Sequence, residues 1–230
     1  MKLSVVATTI FTLTLGFYTP KVTAAPIKTP KTFTEWCQQK ASLSNETRYT
    51  IKKLLKVAKT QNCSQANQTL SKFTILNLGE DKISDISPLS TLTNLTEINL
   101  GENKITNIKP LSNLTNLTSL NLHDNKISDI NPLSNLTKLT SLNLHVNKIS
   151  DINPLSNLTN LTEINLGGNK ISDINPLSNL TNSTEINLGI NKISDIQPLS
   201  NLTKLTEVDL TKNPLTSKQC PLKPESICKF

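Results

Sequence analysis

The chain has 230 residues, with 24 Lys or Arg against 17 Asp or Glu and a formal net charge of +7. Only 3% of its residues are aromatic, too few for a surface that reads bases or sugars by stacking. The positive charge is also local. Residues 25–69 hold 8 basic and 2 acidic side chains, residues 70–216 hold 11 and 14, and residues 217–230 hold 3 and 1. A nucleic-acid partner, which wants a basic stripe interleaved with aromatics, is therefore not expected for the body of the chain.

Residues 1–24 read as a signal peptide. Lys2 supplies the positive start, Leu3 to Phe17 an apolar run, and Val22-Thr23-Ala24 a small-residue cleavage site before Ala25. The run is too short and too rich in threonine for a membrane span, no lipobox cysteine follows it, and no later segment anchors the chain. A secreted or periplasmic protein is expected. Residues 25–69 read as a helical N-terminal cap. Thr34 precedes a short helix at Glu35-Trp36-Cys37, and Ser44 or Asn45 caps a longer one over residues 46–59. On that helix Ile51, Leu54, Leu55 and Ala58 share one face. The other face carries Arg48, Lys52, Lys53, Lys56 and Lys59 and reads as solvated, not membrane-binding, because the apolar face is committed to covering the start of the repeats.

Residues 70–216 repeat with a period of 22. Full copies start at Leu70, Leu92, Leu114, Leu136, Leu158 and Leu180, and a truncated seventh starts at Leu202. The skeleton LxxLxxIxLxxNxIxxIxPLxx is seen in LTNLTEINLGENKITNIKPLSN, residues 92–113. One copy cannot bury its own leucines, whereas stacked copies cover one another. In TEINL the alternation turns Ile98 and Leu100 inward and Glu97 and Asn99 outward. Repetition in register then builds a parallel sheet, one strand per copy, on a concave wall. Asn103, Asn125, Asn147, Asn169, Asn191 and Asn213 fall where each strand ends and the chain turns in. Stacked amides there can satisfy the turn's backbone groups as an asparagine ladder, which Asp81 opens in the first copy. Pro88, Pro110, Pro132, Pro154, Pro176 and Pro198 lack an amide donor and belong on the convex turns. Ser183 stands in the column filled by Leu95, Leu117, Leu139, Leu161 and Leu205, and is expected to be a defect in the core.

The repeat core LTNLTEINLGEN and the turn segment KISDINPLSN resemble the 22-residue leucine-rich repeats of bacterial internalin-like proteins, over about two-thirds of the chain. The resemblance implies an α/β solenoid: a right-handed leucine-rich repeat with a parallel concave sheet, a helical N-terminal cap and a disulfide-closed C-terminal tail. It also implies a non-catalytic role, binding a protein or peptide on the concave face.

Beyond Leu215 the tail LTSKQCPLKPESICKF loses the repeat. A loop closed between Cys220 and Cys228 is expected to finish the last coil, residues 217–230 acting as a C-terminal cap that blunts the sheet edge without adding a strand. Cys37 and Cys63 lie in the N-terminal cap and no cysteine lies in the repeats, so two local disulfides are expected. A four-cysteine metal site would want CxxC spacing, which neither pair has. No metal or other cofactor is expected.

The outward strand positions Glu97, Asn99, Ser119, Asn121, Ser141, Asn143, Glu163, Asn165, Glu185, Asn187, Glu207 and Asp209 are the candidate partner-binding residues. Glu163, Glu185 and Glu207 occupy consecutive coils, spaced by about 5 Å, with no lysine in the adjacent outward columns. That ridge suits a basic segment of a protein or peptide, with Asn165 and Asn187 donating hydrogen bonds beside the charges. The face lacks the Trp, Tyr and Arg that dominate strong interfaces. A lysine column (Lys82, Lys104, Lys126, Lys148, Lys170, Lys192) precedes a column of Asp85, Asn107, Asp129, Asp151, Asp173 and Asp195, and the two read as charges that offset each other. His123 and His145, one period apart, would lie about 5 Å from one another. Two imidazoles can hold a transition metal, but these repeats are nearly identical and supply no third ligand, so duplication is the better account. Nine N-x-Thr triplets between Asn94 and Thr203 read as by-products of the repeat, not glycosylation acceptors. No nucleophile–base pair or phosphate loop is present, so an enzyme is not expected. The sequence thus predicts a monomeric, secreted binding module. The alternative is a structural envelope or matrix protein without a dedicated partner, for which uniform outward columns would argue.

Overall fold

The structure, a computed structural model, describes residues 29–230; the signal peptide expected over residues 1–24 lies outside the described residues. The described residues begin with three α-helices. In α1 (Phe33–Gln38) the Thr32 side chain accepts from the Glu35 amide, so the helix starts earlier than Thr34 suggested. The earlier start puts Phe33, Trp36 and Cys37 on one buried face at i, i+3 and i+4 spacing. In α2 (Asn45–Val57) Ser44 caps the Thr47 amide at 3.1 Å, and Ile51, Leu54 and Leu55 are buried. The third helix, α3 (Cys63–Leu70), has no separate counterpart in the sequence reading, because only Ala66 and Leu70 are buried along it and its apolar period is faint. Asn62 caps it by accepting from Ser64 and Gln65. Leu70 both ends this helix and fills the first leucine column, so cap and stack are continuous.

Eight strands come next: β1 (Ile75–Asn77), β2 (Glu97–Asn99), β3 (Ser119–Asn121), β4 (Ser141–Asn143), β5 (Glu163–Asn165), β6 (Glu185–Asn187), β7 (Glu207–Asp209) and β8 (Cys228–Lys229). All pair in parallel and in chain order. From β1 to β7 each residue faces the one 22 positions on, as in Glu163, Glu185 and Glu207. Behind the sheet the leucine and isoleucine columns form one continuous buried core. The chain returns through short 3-10 turns with proline at their start, such as Asn131–Leu133 and Asn153–Leu155. This is where the acidic column acts. The Oδ1 atoms of Asp129, Asp151, Asp173 and Asp195 each accept at 2.9 Å from the amide two residues on, opening the turn. The column therefore does not pair with the lysines. Among the described residues the ion pairs are Lys53–Asp81, His123–Glu102, Lys223–Glu225 and Lys229–Glu207. A short carboxylate satisfies its own turn more readily than it reaches a solvated ammonium.

Three ladders tie one coil to the next. Asn125 shows the first: its Oδ1 accepts from Ile105 N at 2.9 Å, and its Nδ2 faces the carbonyls of Leu100, Leu122 and His123 at 3.0–3.1 Å. Asn103, Asn147, Asn169, Asn191 and Asn213 repeat this arrangement. Asp81 has no amide donors and meets Lys53 of α2 instead. Lys53 is thus not part of a wholly solvated basic face; it joins the cap to the first coil. A threonine ladder (Thr96, Thr118, Thr140, Thr162, Thr184, Thr206) and an asparagine set at Asn94, Asn116, Asn160 and Asn182 donate to carbonyls of the preceding coil. Four of the N-x-Thr triplets are thereby committed to the framework at both ends.

The tail departs from expectation. It adds an eighth strand, with Val208 opposite Cys228 and Asp209 opposite Lys229. The unpaired edge of β7 offers hydrogen bonds that a plain loop would leave unmade, and Leu210 N donates one to Lys229 O at 2.7 Å. Cys220–Cys228 closes this tail, with Cα atoms 5.8 Å apart, and Cys37–Cys63 joins α1 to α3 at 5.6 Å.

Candidate functional site

The outward face of the sheet is where the repeat leaves side chains uncommitted to the core. Glu97, Glu163, Glu185 and Glu207 are exposed, while Ser119, Ser141 and the asparagines Asn99, Asn121, Asn143, Asn165 and Asn187 are half-buried. Each of these asparagines turns its Oδ1 back onto the amide two residues ahead, at 2.9–3.2 Å, terminating its strand. Asp209 does the same with Thr211. The carbonyl half of the column is structural, and the amide half takes no part in these strand-ending bonds. A shallow concavity of about 360 Å³ crosses β4 to β7, bounded by Ser141, Asn143, Glu163, Asn165, Glu185 and Glu207.

The acidic ridge is shorter than the sequence suggested. Lys229, brought opposite Asp209 by β8, reaches back so that its Nζ lies 2.6 Å from Glu207 Oε1. The Glu207 carboxylate, and behind it Asp209, hold the Lys229 ammonium above its ordinary value. Glu207 is therefore neutralised by the tail, a contact the strand-free reading of that tail could not contain. Among the described residues Glu185 and Glu163 remain without a basic partner, the latter 3.3 Å from the Ser141 hydroxyl that donates to it.

The two histidines part company. His123 lies over Gly101, where a Cβ would come within 2.2 Å of Nδ1. Its Nδ1 is 2.9 Å from Asn121 Oδ1 and its Nε2 is 3.2 Å from Glu102 Oε1. His145 leans the other way, over Gly167, placing Nδ1 within 2.9 Å of a Cβ position there. Each ring fills the space beside a glycine on the opposite side, so the two do not face one another as a chelating pair. Among the described residues no group of three or more His, Cys, Asp or Glu is placed to hold a metal.

Sequence reasoning did not find the column just beyond the sheet: Glu80, Glu102, Asp124, Val146, Gly168, Ile190 and Lys212, all with positive φ. Asp124 and Gly168 were the residue types that could have signalled it; the β-branched members obscured it.

A parallel sheet of identical coils, an internal asparagine ladder and capped ends define a leucine-rich repeat protein. Residues 74–113, 93–135, 115–157 and 137–179 match the family described as Leucine Rich repeats (2 copies). Among solved structures, an internalin (inlF) from Listeria monocytogenes is 33% identical, with a TM-score of 0.58, over 71% of this chain and 56% of its own. This chain thus spans little more than half of that relative. An internalin C2 (inlC2) from the same organism is 30% identical, with a TM-score of 0.60, over 77% of this chain and 88% of its own. No curated protein matches the sequence. The chain belongs to the bacterial internalin-like leucine-rich repeat proteins, a fold that typically mediates protein–protein interaction. No helix among the described residues is long and apolar enough to cross a membrane, and the two disulfides accord with an extracellular location.

Proposed function

We propose that the protein is a secreted, non-catalytic binding module whose outward sheet face receives a segment of a protein or peptide carrying basic residues. The observation that carries this reading is the juxtaposition of Glu163 and Glu185, in register and, among the described residues, without a basic partner, with a row of side-chain amides at Asn143, Asn165 and Asn187. Like charges about 5 Å apart repel by about 1 kcal/mol in water, which a bound lysine or arginine would relieve. The column also varies along the stack, from Ile75 through Glu97, Ser119 and Ser141 to Glu163, which favours a recognition surface over a uniform scaffold. Such binding is steered by charge and weakens with salt. The test is titration of the full chain with synthetic Lys/Arg-rich decapeptides and with neutral peptides of equal length. Binding of the basic set, lost at high salt and in Glu163→Gln/Glu185→Gln, supports the proposal. Equal binding by that variant, with unchanged salt dependence, would move recognition off this face.

A further inference from the structure

The column after the sheet runs against residue preference in two coils. Its seven members all have φ between 47° and 68°, and the conformation is pinned from outside. The amides of Val146, Gly168 and Ile190 donate to the carbonyls of Gly167, Gly189 and Thr211 in the next coil at 2.8–2.9 Å. Glycine, or a short polar side chain such as Asp124, accepts this left-handed backbone easily, and unbranched Glu and Lys tolerate it. A β-branched side chain there is a true outlier. Val146 and Ile190 are the exceptions, and burial does not compensate them: they are 42% and 51% exposed.

Between them lies Gly168, at φ 68°, where a Cβ would stand 3.2 Å from Val146 Cγ2. The missing side chain leaves a notch in the column between Val146 and Ile190, with Val146 Cγ2 the nearest side-chain atom to it. The next column inward holds Gly167 and Gly189, whose side-chain space is taken by His145 and Asn187 and by Thr211 and Asp209, and beyond these stand Asn165, Asn187, Glu163 and Glu185. Strained backbone clusters at ligand clamps and other functional sites, and here it coincides with exposed apolar side chains.

We infer that Val146, Gly168 and Ile190 form an apolar docking rim for an extended peptide segment of a protein partner, one aliphatic or aromatic side chain entering the notch while a neighbouring Lys or Arg meets Glu163 or Glu185. The inference rests on the sheet-face reading above and adds to it the anchor that charge alone does not supply. Complementary charge selects the occupant: a purely apolar ligand would leave the two carboxylates unanswered, and a purely basic one would leave the rim bare.

The test uses the full chain and a phage-displayed library of random dodecapeptides, followed by titration with one enriched synthetic peptide. Enriched sequences should place an apolar residue within a few positions of Lys or Arg. Val146→Asn/Ile190→Asn, which puts a residue suited to left-handed backbone at both sites, should melt about 2–4 °C higher per substitution and bind the peptide at least tenfold more weakly. Glu163→Gln/Glu185→Gln should lose salt dependence while keeping the apolar preference. Unchanged binding by the asparagine variant overturns the rim, and the glutamine variant then shows separately whether the sheet-face reading survives. Absence of any enriched sequence removes both. A concentration-dependent dimer, abolished by the asparagine variant, would replace the peptide by a second copy of the chain.

Discussion

Ser183→Leu is expected to stabilise the protein, and the structure sets the size of the gain. Ser183 is fully buried, with Leu161 and Leu205 in the same column of the coils on either side. Its backbone follows its neighbours: the amide donates to Leu180 O at 2.9 Å, as Leu161 and Leu205 donate to Leu158 and Leu202 at 3.0 Å. A leucine at 183 therefore meets the backbone that leucines already occupy. Losing a buried leucine side chain costs about 2–5 kcal/mol, and restoring one should return much of that. Against it stands the serine hydroxyl, which donates to Leu161 O at 3.1 Å. Such a bond is worth about 0.5–1.5 kcal/mol net. In the other coils leucine supplies no such donor, so the substitution only returns coil six to the common arrangement. The balance is about 2 kcal/mol, or a rise in melting temperature of about 4–8 °C for a chain of this size. Thermal unfolding followed by circular dichroism measures it, with Leu161→Ser as the reverse control, expected to lose a comparable amount. An unchanged or lower melting temperature would mean that coil six has closed around the serine and that the column is not interchangeable.

Asn147→Ala should destabilise by about 3 kcal/mol or more. It orphans the Ile127 amide and removes the donor to Leu122, Leu144 and His145; denaturant unfolding with less than about 1 kcal/mol of loss would refute the ladder as a source of stability. Joint replacement of Cys37 and Cys63 by alanine should cost about 3 kcal/mol for the loop of 26 residues it opens. Hydrogen exchange should then rise first in β1 and β2, and uniform loss across all coils would contradict unravelling from the capped end. Lys53 is held above its ordinary value of 10.5, chiefly by its hydrogen bond to Asp81. The pair's contribution is therefore fully present below about pH 10.5 and is lost as pH rises through the folded-state value. With each side chain about one-quarter exposed, that contribution is at most about 1 kcal/mol. Lys53→Met should flatten the alkaline end of the stability profile, and identical profiles in the two proteins would refute the assignment.

The sequence by itself determined the buried columns of the repeat. Leu92, Leu95, Ile98, Leu100, Ile105, Ile108 and Leu111 recur at a fixed interval and are all buried, because a 22-residue period leaves one stacking register that covers every apolar column at once. The asparagine ladder was legible for the same reason. Asn125 meets atoms in its own coil and the one before it, so one copy of the pattern contains the whole contact. Where the period stops, that inference stops too. Cys228 and Lys229, near the end of the tail, carry no strand signal of their own, and they pair only because β7 presents a free edge. Lys229 then neutralises Glu207, which changes the candidate face. Lys53 is one of several lysines on α2 that the local pattern cannot tell apart, and only the packing of α2 against the first coil sets it on Asp81. His123 and His145 have nearly the same local sequence but lean apart, each into the space beside the glycine on its own side. Only the tertiary structure could decide these contacts. Each joins an aperiodic segment, or one of two near-identical residues, to a neighbour whose position no local pattern encodes.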